Sequence, residues 1–279
     1  MTIDMSTTRT DLALESVQAA RSGAETGTIS GVRSRERTRE GYAVTDIRVE
    51  DEDGAQALGK PVGRYVTVDR GPYFRRGADD FGRGVRCLAG ELAALLPEGP
   101  VLAAGLGNRA MTCDAVGPAS IDNLLVTRHM IRAMPRQFAD FRPVAAVCPG
   151  VLARTGLEAL ELVRGAVERV RPAAVIAVDA LAARDSARLC ATVQLSDTGL
   201  VPGSGVGNRR SALDRGTLGV PVIAVGIPTV VDADPRAGLF LTPRDIDQRI
   251  RELGRLLGYG ITLALQPSLT AADVTALLG

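Results

Sequence analysis

The hydrophobic positions of the chain follow two alternating patterns from residue 79 onward. Runs of small and β-branched apolar residues predict buried strands, at 101–104, 144–148, 174–178, 192–195 and 220–225. Apolar groups at helical spacing predict helices, in 80–96, 120–134, 156–170, 181–189 and 242–265. Apolar strands joined by helices predict an α/β three-layer sandwich, in which helices cover both faces of a mainly parallel sheet.

The first 70 residues follow a different pattern. Residues 1–40 are rich in polar and charged groups. Such a segment cannot bury enough apolar surface to offset its ordering entropy, so we expect a flexible or docked leader. The β-like runs at 42–44 and 64–68 predict a small hairpin near the N-terminus. We therefore divide the chain into a leader at 1–40 and a single α/β domain at 41–279.

Composition and charge exclude several classes of function. The chain has 33 basic and 32 acidic side chains and a net charge of +1, so no global field attracts nucleic acid or an anionic membrane. The N-terminus lacks the apolar stretch of a secretory signal, and no run approaches the roughly 18 apolar residues of a spanning helix. We expect a cytoplasmic protein.

The four cysteines lie far apart, without the spacing of a zinc site or a disulfide framework. Lys60 is the only lysine, which we attribute to coding bias.

Polar, glycine-rich segments follow the predicted strands, where the functional crevice of such sheets forms. Asp114 and Asp179 lie in two of these segments. A carboxylate pair at this position can activate water, because one member accepts its proton while the other stays protonated and donates. The alternative is that each aspartate caps the helix that follows it. Asp197 and Asp232 are weaker candidates, for support or for orientation of a substrate.

Other motifs point to chemistry less specifically. Residues 105–110 fit a G-x-G-x-x-A fingerprint, but no acidic residue closes the next strand, as a dinucleotide site requires. The glycine-rich loop 203–208 lacks the lysine of a Walker loop. His129, the only histidine, is the one possible base for a Ser-His-Asp or Cys-His enzyme. Cys148 is the best thiol candidate, although a small buried hydrophobe is the favoured interpretation.

Around Asp114 and Asp179, and in further segments, the sequence resembles the germination protease family of spore-forming bacteria. The resemblance runs from residue 9 to about residue 265. Two motifs carry its chemistry, Asp114-Ala-Val-Gly-Pro118 and Asp179-Ala-Leu-Ala182. Further matching segments are 9–15, 63–67, 105–108, 122–129, 149–151, 196–199, 202–208 and 226–233.

The resemblance implies an atypical aspartic-type endopeptidase, without metal or cofactor, on a fold similar to the hydrogenase-maturation proteases. The catalytic pair would be Asp114 and Asp179. The implied substrates are the small acid-soluble proteins that coat spore DNA, degraded in the forespore or spore core by an enzyme that is usually a homotetramer. Further residues are expected to bind substrate or support the site, namely Gly107, Asn108, Asp197, Gly205 and Asn208.

The family is also made as an inactive precursor that removes its own leader. Its substrates are cut after an acidic residue that follows Ser or Thr, with an apolar residue and Ala next. Thr10-Asp11-Leu12-Ala13 resembles that junction, so we predict self-processing between Asp11 and Leu12. The chain departs from the family at Cys113, where proline is common, and at Cys148, where an apolar residue is usual. It also has only a short link after Asp234, where relatives carry a long insertion.

Two other hypotheses remain open. A maturation-type protease of the same fold would act on another protein and depend on a metal, although a single histidine argues against a rich metal site. A non-catalytic α/β module would instead bind a nucleotide or a protein without cleaving it. Metal-dependent activity would favour the first, and tight dinucleotide binding without peptidase activity would favour the second.

Overall fold

The computed structural model describes residues 10–23, 28–71, 80–204, 207, 210–234 and 238–278. Its strands are β1 (Val32–Arg39), β2 (Tyr42–Val49), β3 (Gly63–Asp69), β4 (Val101–Leu106), β5 (Val144–Gly150), β6 (Ala174–Ala183), β7 (Thr192–Ser196), β8 (Val222–Asp234) and β9 (Leu239–Leu241). Its helices are α1 (Ala13–Gly23), α2 (Glu52–Leu58), α3 (Asp80–Ala93), α4 (Val116–Asp122), α5 (Arg128–Ala133), α6 (Leu152–Thr155), α7 (Ala159–Val170), α8 (Arg215–Leu218), α9 (Ile246–Leu265) and α10 (Ala271–Leu278). Within these ranges, no helix combines the length and the apolar character needed to cross a membrane.

The strands of the described residues form one sheet in the order β1-β2-β3-β7-β8-β6-β4-β5, with β9 paired to β8. The neighbours β5, β4, β6 and β8 are parallel. The remaining neighbours are antiparallel, namely β1–β2, β2–β3, β3–β7, β7–β8 and β8–β9. The predicted α/β class is confirmed. The sheet is mixed, and its parallel part lies in the half built from β4, β5, β6 and β8.

Helices cover both faces of the parallel part of the sheet. On one face, Leu88 of α3 and Leu256 of α9 pack in the larger core with Ile176 of β6. On the other face, Val163 of α7 packs with Val175 of β6. Successive residues of a strand point to opposite faces, so a strand with helices on both sides is apolar at every position. This explains why β6 begins as an unbroken apolar run.

A small hairpin near the N-terminus is also confirmed. Strands β1 and β2 pair antiparallel across a tight turn at Glu40 and Gly41, both of which have positive φ (53° and 83°). The predicted runs at 42–44 and 64–68 fall on β2 and β3, which also pair antiparallel and are joined through α2. Within the expected leader, the structure has α1 and β1. Helix α1 packs through Val17 against the outer part of the sheet.

The helix predicted at 181–189 is wrong. Strand β6 continues to Ala183, because Ala180 pairs with Ile227 of β8 and Ala183 pairs with Val231. Only a short 3-10 turn, Ser186–Arg188, follows. Alanine and leucine prefer helices by less than about 1 kcal/mol per residue, and strand pairing outweighs a preference of that size.

Two other predicted helices have different boundaries. The helix predicted at 120–134 is divided into α4 and α5. The N–H of Leu125 donates to the Thr262 hydroxyl at 3.1 Å, and the N–H of Thr127 donates to the carbonyl of Val144 at 3.1 Å. These bonds to α9 and β5 replace helical bonds between α4 and α5. Helix α9 begins after Thr242, whose hydroxyl donates to the carbonyl of Thr229 at 2.8 Å.

Candidate active site

The carboxyl ends of the parallel strands open onto a cleft of about 1040 Å³. Its walls include Leu106 of β4, Gly150 of β5, Asp179 of β6 and Gly226 of β8. This is the edge of the sheet at which an α/β fold places its functional crevice. Residues from the loops after β4 and β7, and from the start of the described chain, complete the lining.

Asp114 is held at the cleft by backbone contacts. It ends the 3-10 turn Thr112–Asp114, and its Oδ2 accepts the N–H of Asn108 at 2.8 Å. Gly107 has a φ of 110°, and a Cβ there would lie 2.0 Å from the carbonyl oxygen of Asp114. Only glycine fits this position. The buried hydroxyl of Thr229 donates to the carbonyl of Cys113 at 2.6 Å and fixes the other side of the turn.

Glycine contacts bring the segment after Asp114 directly onto the strands. A Cβ on Gly117 would lie 2.2 Å from the carbonyl oxygen of Leu106 and 2.5 Å from that of Val178. A Cβ on Gly105 would lie 2.6 Å from the carbonyl oxygen of Gly117. Any larger residue would therefore push α4 away from β4 and β6. The motif that begins at Asp114 thus has a packing role beside its chemical one.

Asp179 lies inside β6, between β4 and β8. It pairs with Gly226 of β8, and the preceding Val178 pairs with Gly105 of β4. Its side chain lines the cleft, is only 6% exposed, and accepts the N–H of Ala180 at 2.9 Å. Across the described residues, no lysine or arginine forms an ion pair with Asp179 or Asp114. A buried carboxylate without a cation is costly to ionise.

The surroundings of the two carboxyls shift their pKa values by different amounts. Desolvation raises the pKa of Asp179 well above its usual value, and the nearby negative charges of Asp114 and Asp11 raise it further, while the N–H of Ala180 lowers it in part. Desolvation also raises the pKa of Asp114, but the N–H of Asn108 opposes this by stabilising the charged form. Because like charges at close range do not ionise together, the arrangement favours the proton on Asp179 and the negative charge on Asp114.

Neither aspartate caps a helix, so the capping interpretation is wrong for both. The N-cap of α4 is Ala115, which makes no side-chain cap hydrogen bond. Asp179 is followed by four more residues of strand rather than by a helix. The two aspartates are therefore carboxyls at one cleft whose surroundings differ, with Asp179 the more strongly disfavoured in its charged form. Such a pair can donate and accept protons in the same reaction.

The other residues predicted for the site have different positions. Gly107 and Asn108 line the cleft. Asp197 is exposed and is not among the lining residues; its Oδ1 accepts the N–H of Arg64 at 2.8 Å and so joins β3 to the loop after β7. Asp232 is buried on β8 away from the lining. Two further predicted residues lie outside the described part of the chain, Gly205 and Asn208.

The candidate base His129 and the candidate thiol Cys148 do not line the cleft. His129 is exposed on α5. Cys148 lies on β5 with its sulfur 3.8 Å from a guanidinium nitrogen of Arg109. In the dinucleotide-like loop, the N–H of Asn108 donates to Asp114. In the part of the chain that the structure covers, no group of three or more His, Cys, Asp or Glu residues is placed to hold a metal ion.

Residues from the N-terminal segment enter the cleft. Thr10 and Asp11 line it together with both aspartates. Strand β6 runs past its last pair with β4, and the exposed backbone edge there meets Asp11. The N–H of Asp11 donates to the carbonyl of Ala182 at 2.9 Å, and the N–H of Ala182 donates to Asp11 Oδ2 at 2.9 Å. Leu12, the next residue, is fully buried.

Sequence reasoning missed three side chains that contact this segment. Lys60 Nζ lies 3.0 Å from the carbonyl oxygen of Asp11, and Gln194 Nε2 lies 3.0 Å from the same oxygen. The Ser204 hydroxyl donates to Asp11 Oδ1 at 2.9 Å. The available signal was that Lys60 is the only lysine among 33 basic residues. Gln194 and Ser204 carry no comparable signal in the sequence.

Similar proteins are found among solved structures and among curated sequences. A NiFe hydrogenase maturation protease from Thermococcus kodakarensis matches with a TM-score of 0.35 and 17% identity, over 61% of this chain and 98% of that chain. The germination protease of Caldanaerobacter subterraneus is 40% identical over 97% of this chain and 98% of its own length. For the germination protease of Clostridium perfringens the identity is 37%, with the same coverage.

The germination protease of Bacillus cytotoxicus is 40% identical over 95% of this chain and 76% of its own length. A family model described as germination protease matches residues 9–238. The matched range includes both aspartates, the cleft-lining loops and the docked N-terminal segment. These comparisons confirm the resemblance inferred from the motifs, and the chain belongs to the germination protease family.

Proposed function

We propose that this peptidase is an aspartic-type endopeptidase that initiates degradation of small acid-soluble, DNA-binding spore proteins during germination. Asp114 and Asp179 carry the chemistry. The enzyme is synthesised as a precursor that cuts itself between Asp11 and Leu12. Membership of the germination protease family supports a protease that acts in germination. A homotetramer and a location in the forespore or spore core belong to the same proposal and rest on the family resemblance.

The observation that carries the proposal is the position of two carboxyls at one cleft, one of them buried and the other partly exposed. Asp114 is the base, because the N–H of Asn108 stabilises its charge. It accepts a proton from water as the water oxygen attacks the peptide carbonyl carbon. Asp179 is the acid, because burial raises its pKa and keeps it protonated. It donates that proton to the leaving amine as the C–N bond breaks.

The position of the N-terminal segment supports self-processing. Thr10 and Asp11 lie in the same cleft as the two aspartates, and the charge of Asp11 is near enough to raise the pKa of Asp179. The segment is held at the open edge of β6 by one backbone hydrogen bond, from Asp11 to Ala182, and by the N–H of Ala182 donating to the Asp11 carboxylate. Extended peptides are commonly bound at such an edge. A chain segment with the residue order of a substrate therefore occupies the cleft.

Replacing either aspartate by asparagine should lower the rate of peptide cleavage by at least about 100-fold, because an amide can neither accept nor donate the transferred proton. The test uses a synthetic peptide that spans a Thr-Glu-Ile-Ala junction, with products resolved by chromatography and mass spectrometry. Asp114→Asn and Asp179→Asn are compared with Asp140→Asn, which changes an exposed aspartate outside the cleft. Full activity in either cleft variant would reject the mechanism, provided that circular dichroism shows a native fold.

The purified precursor should process itself at mildly acid pH and yield a chain that begins at Leu12. The bond after Asp11 is the one that the cleft contacts hold. N-terminal sequencing identifies the new terminus, and Asp179→Asn should remain at full length under the same conditions. A mature chain that starts beyond residue 20 would contradict the assigned cut.

Asp179→Asn should change how stability depends on pH. In the folded chain burial raises the pKa of Asp179, whereas an unfolded aspartate releases its proton near pH 3.9. Between those two values the folded state holds one more proton than the unfolded state, so the unfolding free energy falls as pH rises. The variant lacks this loss and should exceed the wild type by about 1.4 kcal/mol for each pH unit between about pH 3.9 and the folded pKa.

Urea denaturation at a series of pH values from 4 to 8 measures this difference. The two proteins should converge toward the acid end of the series and diverge toward neutral pH. Asp114→Asn should show a smaller effect, because Asp114 is less buried and its pKa is raised less. If the unfolding free energies of the wild type and Asp179→Asn depend on pH in the same way, the pKa of Asp179 is not raised.

A further inference from the structure

The carbonyl oxygen of Asp11, in the peptide bond that precedes Leu12, is held by two side-chain donors. Lys60 Nζ and Gln194 Nε2 each lie 3.0 Å from it. Both side chains also form hydrogen bonds with the neighbouring backbone. Lys60 Nζ donates to the carbonyl of Thr10 at 3.2 Å, and Gln194 Oε1 accepts the N–H of Ala13 at 2.6 Å. The bond between Asp11 and Leu12 is therefore fixed from both sides.

The side chains on either side of that bond occupy pockets of different character. The carboxylate of Asp11 accepts the Ser204 hydroxyl at 2.9 Å and the N–H of Ala182 at 2.9 Å. Leu12 is fully buried in an apolar cluster with Ala183 of β6. A peptide with an acidic residue before the bond and an apolar residue after it satisfies both pockets. The cleft thus matches the segment side chain by side chain as well as through its backbone.

The local structure places Lys60 for this contact. Lys60 follows α2, which begins with Asp51 accepting the N–H of Gly54 at 2.9 Å and ends at Gly59 in the left-handed conformation (φ 62°). Burial in the cleft lowers the pKa of the Lys60 ammonium, while the negative charges of Asp11 and Glu15 act in the opposite direction. Desolvating a cation is costly, and a carboxylate brought in by the bound peptide offsets part of that cost.

We propose that Lys60 and Gln194 form the oxyanion hole of this peptidase, which binds the carbonyl oxygen of the bond to be cut in the leader and in protein substrates alike. The inference rests on the proposed function, in which Asp114 and Asp179 act on a water molecule. The inference adds the hydrogen-bond donors that stabilise the negative charge developing on the carbonyl oxygen. Donors placed at such an oxygen before reaction stabilise the transition state more than the substrate.

The reaction proceeds with one water molecule, two aspartates that transfer protons, and two hydrogen-bond donors. Attack by water on the carbonyl carbon of Asp11 moves the C=O π pair onto the oxygen, and the proton of the water passes to Asp114. Lys60 and Gln194 donate hydrogen bonds to the resulting oxyanion. The C=O bond then re-forms, the C–N bond breaks, and the nitrogen of Leu12 takes the proton of Asp179. The products are a carboxylic acid at Asp11 and a free amine at Leu12.

The test compares Lys60→Met with Lys60→Arg in the full-length chain. Two quantities are measured: the first-order rate of self-processing, and kcat and KM on the Thr-Glu-Ile-Ala peptide after each variant has been processed by a trace of removable wild-type enzyme. Lys60→Met should lower the self-processing rate and the peptide kcat by about 100- to 1000-fold. The change in KM should be much smaller, because the contact strengthens in the transition state. Lys60→Arg keeps a cationic donor and should recover part of the loss.

Arg132→Met is the matched control, since it removes a positive charge from an exposed position on α5 outside the cleft, and it should retain the wild-type kcat. A wild-type peptide kcat in Lys60→Met overturns the oxyanion hole, even if self-processing is slowed, because Lys60 then only docks the leader. The aspartate mechanism survives that result if Asp179→Asn is still inactive. If Asp179→Asn instead cleaves as well as the wild type, the proposed function has failed independently of Lys60.

Discussion

Desolvation of Asp114 and Asp179 in a shared cleft is the constraint on which the site depends, and the charge of Asp114 adds to its effect at Asp179. Neither carboxyl is ion-paired within the described residues, so their ionisation is set by burial, by each other and by backbone N–H groups. Asp179 is the more deeply buried, and desolvation raises its pKa well above the usual value, while the N–H of Asn108 opposes the rise in the pKa of Asp114. The two carboxyls therefore differ in how readily they ionise.

The fold creates this pair through two features, the close approach of α4 to the sheet and the extension of β6. Gly105 and Gly117 let α4 approach the strands closely, which brings the Asp114 turn to the cleft that Asp179 also lines. Beyond its last pair with β4, β6 continues to Ala183 along β8. This extension buries Asp179 within a strand and leaves an open backbone edge at which the N-terminal segment docks. Asp179 and the edge at which the N-terminal segment docks are therefore parts of one strand.

The apolar runs predicted the strands well, because a parallel strand covered on both faces has no solvated side to interrupt its sequence. Position after those strands, together with the family motifs, was enough to select Asp114 and Asp179. The extension of β6 through residues 180–183 was not predictable, since it depends on pairing with a strand more than 40 residues away. Lys60 was missed for a similar reason: its partners lie near residue 11, and no local pattern marks it.

Burial raises the pKa of Asp179, so its carboxyl should stay protonated at pH values at which an exposed aspartate is already charged. Infrared difference spectroscopy between the wild type and Asp179→Asn measures this directly, because a protonated carboxyl has a C=O stretch separate from that of a carboxylate. Above about pH 3.9 the wild type should show a protonated-carboxyl band that is absent from the variant and disappears as the pH is raised further. A wild-type spectrum with only the carboxylate band throughout that range would show that Asp179 is charged and does not serve as the proton donor.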